Sequence, residues 1–148
     1  MKNTIFLMVF CTVSVVIFAQ HDDHRKTTPP QSVQRSWQKD YPNYNNNNNT
    51  AWDYRNSQWH SRYQDRDHNN RNVDVYYDRS GRRVRTESEW DRNDLPKNVQ
   101  DRIRRRYHSE NYSAFRVERP GRGFYFQISL GGNRKVYLDE RGREVRNY

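Results

Sequence analysis

Histidines and acidic residues are the side chains here best suited to metal binding or acid–base chemistry. Four of the five histidines precede Asn72, in a region almost without aliphatic residues, and the fifth is His108. The tetrad of residues 21–24, His-Asp-Asp-His, has groups that bind divalent metals, but a short terminal run of this kind is more typical of solvated charge. Motifs for a serine nucleophile, a zinc protease or a phosphate loop are absent from the sequence. We therefore expect no catalytic, metal or cofactor site and no enzymatic activity.

Four arginines, at Arg102, Arg104, Arg105 and Arg106, form the densest basic cluster in the chain. A charge run on an exposed helix commonly serves only solvation. Arginine is nevertheless the side chain best shaped for bidentate contact with a carboxylate or a phosphate. We predict that these four arginines contribute to binding a partner.

Three tyrosines, Tyr76, Tyr125 and Tyr137, occupy outward positions of predicted strands. Exposed tyrosines on one face of a sheet would form an aromatic platform of the kind that is enriched at protein interfaces. Our hypothesis is that the outer face of the sheet, rimmed by the arginines, is the partner-binding surface.

The run from Arg122 to Phe126 resembles the opening of an RNA-recognition pattern in a basic protein. The fourth residue of the run is Tyr125, where that pattern requires Gly or Ala, and Gln127 follows in place of an apolar residue. The alternation of a strand explains Phe124 and Phe126 as core residues instead. No nucleic-acid partner is expected.

The first residues are typical of a secretory signal peptide, because Lys2 precedes an apolar run from Thr4 to Phe18. This run is shorter than the ~20 residues that a membrane-spanning helix needs, and a strongly polar stretch follows it. We predict a signal peptide over residues 1–19, cleavage after Ala19, no transmembrane segment in the mature chain, and a periplasmic or secreted location.

The net charge of the chain narrows the class of partner further. The net charge is +9, and removal of Lys2 with the signal peptide leaves +8. This balance favours an anionic partner, either an envelope or extracellular protein or an anionic envelope surface.

Cys11, the only cysteine, lies inside the apolar run. The mature chain therefore has no thiol for a disulfide or a metal.

Residues 20–72 are rich in Asn, Tyr and Trp and include the asparagine run 45–49. With almost no aliphatic residue, the composition predicts a disordered spacer, because too little apolar surface is available to repay the entropy of ordering. The spaced aromatic residues leave open a weakly adhesive role for this low-complexity segment, and a simple tether is the alternative.

Strand patterns begin at Val73, where apolar and polar residues alternate up to Tyr77. Turn residues at 78–81 and a second alternating run at 84–87 predict a hairpin. Later alternating runs predict further strands at 115–118, 124–130, 136–138 and around 145.

An amphipathic helix is predicted between the hairpin and these later strands. Leu95, Val99, Ile103 and Tyr107 recur at every fourth position, which places them on one stripe of a helix. Pro96 suits the first turn of a helix, since its φ angle is already helical. The predicted order over residues 73–148 is β-β-α-β-β-β-β, one helix on an antiparallel sheet in the α+β class.

One pattern, D-x-x-G-R-x-V-R, occurs twice, at 78–85 and 139–146. Both copies should form turns between strands. Duplication of an ancestral segment and chance similarity of two turns both account for it.

The sequence Val-Tyr-Tyr-Asp-Arg-Ser-Gly at 75–81, the Leu-Pro-x-x-Val start of the helix at 95–99, and Leu-Asp-x-x-Gly at 138–142 resemble the β-lactamase-inhibitor-like, PepSY-like domains of exported bacterial proteins. The resemblance covers residues 73–148. It implies a helix on an antiparallel sheet, no catalytic site, and a role in binding, inhibiting or regulating envelope proteins. Members often carry the unit twice, whereas one full unit and a closing hairpin are visible here.

Two functions follow from these observations. The first is an exported PepSY-like binding module of the bacterial cell envelope. The alternative is a structural or adhesive envelope protein that acts through the Asn/aromatic-rich segment 20–72.

Overall fold

The computed structural model describes residues 28–44 and 50–146. The predicted signal peptide, Cys11 and the 21–24 tetrad lie outside the described residues. The elements are two helices, α1 (Gln31–Asp40) and α2 (Lys97–Arg102), and seven strands, β1 (Trp52–Arg55), β2 (Gln58–Asp65), β3 (Arg71–Tyr77), β4 (Arg83–Trp90), β5 (Tyr112–Arg119), β6 (Gly123–Leu130) and β7 (Lys135–Leu138). None of the described helices has the length and apolar character needed to cross a bilayer.

The seven strands form one antiparallel sheet in which every strand pairs with its neighbour in sequence. This agrees with the predicted α+β class and antiparallel sheet. From β3 onward the observed order is β-β-α-β-β-β. Over the residues described, the predicted final strand is reduced to a single bridge between Leu138 and Glu144.

The prediction of a disordered spacer over residues 20–72 is wrong for the residues described. Helix α1 and strands β1 and β2 lie within that range and belong to the same sheet as β3. Aromatic side chains replace the missing aliphatic ones, since Trp37 and Trp52 are 3% and 9% exposed. Large aromatic rings bury enough surface for a core that aliphatic counts do not reveal.

The first core lies between α1 and strands β1 to β3. Val33 and Trp37, four residues apart on α1, pack with Val73, Val75 and Tyr77 on β3. Rings contact one another at several angles, as where Trp37 meets Trp52 edge-on with 5.5 Å between ring centroids. These contacts stabilise α1 on the sheet, because a ten-residue helix is marginal in water without tertiary packing.

The second core lies between α2 and strands β5 to β7, and it confirms the predicted helix stripe. Leu95, Val99 and Ile103 are buried against Phe126 and Ile128. Helix α2 continues as a π-helical turn from Ile103 to Tyr107 and ends at His108, whose φ of 47° is left-handed.

The two cores belong to two copies of one structural unit, α1-β1-β2-β3 and α2-β5-β6-β7, with β4 between them. The side-chain amide of Gln34 donates to the Pro29 carbonyl at 2.8 Å, and that of Gln100 donates to the Leu95 carbonyl at 2.8 Å. The equivalent residues of the two helices are Pro30 and Pro96, Val33 and Val99, Gln34 and Gln100, Trp37 and Ile103, and Tyr41 and Tyr107. The expectation of a single full unit is therefore wrong.

The repeated D-x-x-G-R pattern forms the same turn at the end of each unit. The Asp78 carboxylate accepts the backbone N–H of Arg82 at 3.0 Å, and the Asp139 carboxylate accepts that of Arg143 at 2.9 Å. The side chain of each of these arginines donates to the same carboxylate. Each turn is thus held by its own aspartate, and both copies of the pattern form turns, as predicted.

Each turn glycine lies against the first turn of a helix. A Cβ atom on Gly81 would stand 2.5 Å from the Ser32 carbonyl oxygen, and one on Gly142 would stand 2.5 Å from the Asn98 carbonyl oxygen. Such distances exclude a side chain. Glycine is therefore what allows the turn to lock each helix onto its part of the sheet.

Trp37→Ala tests whether the polar N-terminal region is part of the folded core. We expect the free energy of unfolding to fall by about 3–5 kcal/mol, because the truncation removes a buried ring and leaves a cavity. Urea unfolding followed by circular dichroism measures the change. Gln38→Ala, at the exposed neighbouring position, should change it by less than about 0.5 kcal/mol. Equal stability of the two variants would contradict the packing of α1.

Gly142→Ala tests the contact between the turn and α2. Gly121 has the same φ of +73° but no atom within 4 Å of an added Cβ, which makes it a matched control. Gly121→Ala should cost about 1–2 kcal/mol for the left-handed backbone alone. Gly142→Ala should cost about 1–3 kcal/mol more, because the methyl group overlaps the Asn98 carbonyl. Thermal unfolding of both variants compares them, and equal losses would mean that the turn does not press on the helix.

Candidate functional site

The two faces of the sheet differ, because both helices pack on one of them. We call the opposite one the open face, and it presents every second residue of each strand. The open face includes Asp53, His60, Arg62, Asp74, Tyr76, Arg85, Glu87, Phe115, Val117, Tyr125, Gln127 and Tyr137.

The three predicted tyrosines all lie on the open face. Tyr125 and Tyr137 meet edge to face, with ring centroids 5.7 Å apart and planes at 84°. Tyr76 is on β3, three strands from Tyr125 on β6, which corresponds to about 14 Å across a sheet. The tyrosines therefore form two separate aromatic points rather than one platform.

Tyr76 lies between an arginine and a histidine on adjacent strands. The Arg85 guanidinium lies 3.5 Å from the centre of the Tyr76 ring. The His60 ring stacks on the tyrosine, with centroids 4.8 Å apart and planes at 25°. Cation–π and stacking contacts hold the Tyr76 ring in one orientation.

Asp74 is the centre of a charged network beside Tyr76. It is only 6% exposed. The Asp74 carboxylate accepts hydrogen bonds from Arg62 Nε at 2.8 Å and Arg62 Nη2 at 3.0 Å. His60 Nε2 lies 2.6 Å from the same carboxylate, and His60 Nδ1 lies 3.4 Å from Asp53. Each ionisable group of the network lies next to a group of opposite charge type, which offsets the free-energy cost of burying Asp74.

The network shifts the ionisation of its members. Burial by itself lowers the pKa of His60, but the hydrogen bond to Asp74 and the charges of Asp74 and Asp53 outweigh it, so the pKa is raised. Burial likewise raises the pKa of Asp74, but hydrogen bonds from His60 and Arg62 outweigh it, so the pKa is lowered. Both shifts favour the ion pair. A depression of about 730 Å³ opens over this network.

The four predicted arginines do not border the tyrosines. Arg102, Arg104, Arg105 and Arg106 lie on α2 and its π-helical turn, which cover the other face of the sheet. The predicted arginine rim is therefore wrong. The cationic side chains next to the tyrosines are instead Arg85 over Tyr76 and Arg119, whose guanidinium lies 5.8 Å from the Tyr125 ring centre.

Phe124 and Phe126 confirm the core interpretation of the run that resembles an RNA-binding pattern. Phe126 is 1% exposed, and Phe124 packs against the same core.

Over residues 28–44 and 50–146, no group of three His, Cys, Asp or Glu side chains has an arrangement suited to a metal ion.

His60, Arg62 and Arg85 are site residues that the sequence analysis missed. His60 and Arg62 fall in the region interpreted as disordered. The signal was present, since Trp59 and Tyr63 alternate with the two polar residues as in a strand.

His60→Gln tests the network. Because the pKa of His60 is raised in the folded state, its contribution to stability is full below the unfolded pKa and is lost as the pH rises above about 6.5. The wild-type free energy of unfolding should therefore fall as the pH rises above about 6.5, and His60→Gln should remove most of this fall. Urea unfolding at a series of pH values measures it. His68→Gln is the control, because the His68 side chain is 69% exposed, and an equal effect of both variants would contradict the network.

Several solved structures share this fold. A BLIP-like protein from Bacteroides fragilis matches with a TM-score of 0.67 and 22% identity, over 84% of this chain and 89% of that one. A DUF2874 family protein from Bacteroides ovatus matches with a TM-score of 0.69 and 20% identity, over 81% of this chain and 86% of that one. A protein from Bacteroides eggerthii, described as periplasmic, matches with a TM-score of 0.69 and 16% identity, over 81% of this chain and 88% of that one.

No protein-family model and no curated protein matches the sequence. The structural likeness extends over more than four-fifths of the chain, so it includes α1, β1 and β2 as well as the half that the resemblance covered. The resemblance to β-lactamase-inhibitor-like proteins is thereby confirmed at the level of structure. This chain has the fold of the BLIP-like proteins, with both of its units complete among the residues described.

Proposed function

We propose that the protein is a non-enzymatic binding module of the bacterial cell envelope, periplasmic or secreted, that binds another envelope or extracellular protein through the open face. Binding would inhibit or regulate that protein. The observation that carries the proposal is the open face itself, where aromatic rings and arginines stand on a sheet whose other face both helices cover.

The composition of the open face supports a protein partner. Tyrosine and arginine are the residues that most often dominate the energy of protein interfaces. Here Tyr76 and Tyr125 each lie under or beside an arginine, so the rings are held in place before a partner arrives. Fixed side chains lose little conformational entropy on binding, which favours affinity.

A binding function also suits the Asp74 network better than catalysis does. His60 lies between two carboxylates and stacks on Tyr76. Its ring nitrogens both face protein groups, so neither is directed at a substrate. The Arg62 side chain, 63% exposed, still offers donors to a partner at the edge of the network.

Export is supported by two observations. The sequence begins with the features of a secretory signal peptide, at residues outside the described part of the chain. A structure of the same fold from Bacteroides eggerthii is described as periplasmic.

None of the structural neighbours reported above is described as an enzyme.

The alternative, an adhesive protein acting through the segment 20–72, has less support. Trp37 and Trp52 are buried, and Tyr63 packs against the same core. Side chains that form a core are unavailable for adhesion. Deletion of residues 20–71 would remove α1, β1 and β2 and unfold the first unit, so it does not separate the two functions.

Site-specific photo-crosslinking in intact cells tests the open face. A photoreactive residue at Gln127, on the open face, should form a discrete adduct with a partner protein. The same residue at Arg104, exposed on the helix side, should not. Tyr125→Ser with Tyr137→Ser should reduce the Gln127 adduct about tenfold or more, because hot-spot aromatic residues contribute about 2 kcal/mol or more each.

Tyr125→Phe with Tyr137→Phe is the matched control, since it keeps both rings and should retain most of the adduct. Circular dichroism verifies that all variants fold. Adducts of equal intensity from Gln127 and Arg104, or an adduct unaffected by the serine substitutions, would refute the open face as the binding surface.

A further inference from the structure

The second unit carries a basic depression on the helix side, away from the open face. It has a volume of about 570 Å³. Three of its arginines, Arg102, Arg105 and Arg106, come from α2 and its π-helical turn, and two, Arg141 and Arg143, come from the turn after β7. We call this depression the arginine pocket. Asp101 is its only acidic lining residue among the residues described.

The pocket exists because the turn after β7 presses against α2. A Cβ atom on Gly142 would stand 2.5 Å from the Asn98 carbonyl oxygen and 3.3 Å from Arg102 Cβ. This close approach brings arginines from two distant segments together. Arginines that cluster repel one another, so a neighbouring negative charge stabilises the arrangement.

The residues described supply only part of that charge. Arg106 pairs with Glu144 at 3.1 Å, and Arg143 pairs with Asp139 at 2.7 Å. In the part of the chain that the structure describes, the side chains of Arg102, Arg105 and Arg141 make no ion pair or hydrogen bond, and Arg102 Nε is a buried donor without a partner. A buried donor without a partner calls for a physical explanation, and an anionic ligand in the pocket would supply one for Arg102.

The first unit shows that the fold does not require these arginines. It builds the same contact between a helix and a glycine turn, with Gly81 against Ser32. In place of Arg102, Arg105, Arg106 and Arg141 it has Ser36, Lys39, Asp40 and Ser80. The contact between helix and glycine turn therefore does not depend on these arginines.

We propose that the arginine pocket binds a phosphate group. A phosphate monoester carries a charge of about −1.5 to −2 and three acceptor oxygens, which suits several guanidinium forks better than one carboxylate does. The pocket is open to solvent on one side, so the phosphate can belong to a lipid headgroup or to a free phosphate compound. This site shares no residue with the open face, and either proposal can fail without the other.

Titration with inorganic phosphate, followed by NMR of the full mature chain, tests the site. Saturable shifts should appear in the amides of α2 and of the turn 139–143. Arg102→Ser with Arg141→Ser installs the residues of the first unit and should weaken binding roughly tenfold or more, because hydrogen bonds to charged groups are among the strongest. Arg102→Lys with Arg141→Lys should give an intermediate loss, because the charge remains and the fork is absent.

Arg66→Ser with Arg122→Ser removes the same charge from exposed positions elsewhere and should leave binding unchanged. Cosedimentation with phosphatidylcholine vesicles, with and without phosphatidic acid, distinguishes the sources of phosphate. Retention only by phosphatidic acid, competed by inorganic phosphate and lost in Arg102→Ser with Arg141→Ser, supports a lipid headgroup. Shifts with inorganic phosphate but no retention support a free phosphate compound. Absence of saturable shifts, or equal weakening by both pairs of serine substitutions, would overturn the proposal.

Discussion

The packing of a short helix onto one face of the sheet is the interaction on which the rest of this structure depends. Each helix presents two or three apolar residues to the sheet, and a glycine turn closes on its first turn. Helices as short as these depend on tertiary contacts for stability. Because both helices occupy the same face, no helix covers the opposite face.

The duplicated unit separates what the scaffold needs from what a site needs. Both units keep the helix-starting proline, the glutamine that donates to the carbonyl of the residue before that proline, and the aspartate that holds the turn. Charged residues beside this frame differ freely, even in sign. Asp40 faces Arg83 in the first unit at 3.8 Å, whereas Arg106 faces Glu144 in the second at 3.1 Å. One frame therefore supports two different surfaces.

The first unit shows why composition alone misled the prediction for residues 20–72. Disorder is inferred from a lack of aliphatic residues, but this core is made from tryptophan and tyrosine rings that contact one another. The polar residues of this region also make tertiary contacts, since His60 and Arg62 on β2 pair with Asp74 on the adjacent strand β3. Those pairs depend on strand register, which composition does not contain.

The sequence by itself determined the helix and the central strand of the second unit. The stripe of Leu95, Val99 and Ile103 is a local pattern that fits a helix, and the alternation of β6 is a local pattern that fits an extended strand. The sequence also placed the tyrosines on one side of their strands. Only the tertiary structure decided that the arginines of α2 lie on the side away from those tyrosines, and that α1 belongs to the sheet. Both facts follow from contacts between residues far apart in the chain, and local periodicity carries no information about which face of a sheet a helix will cover.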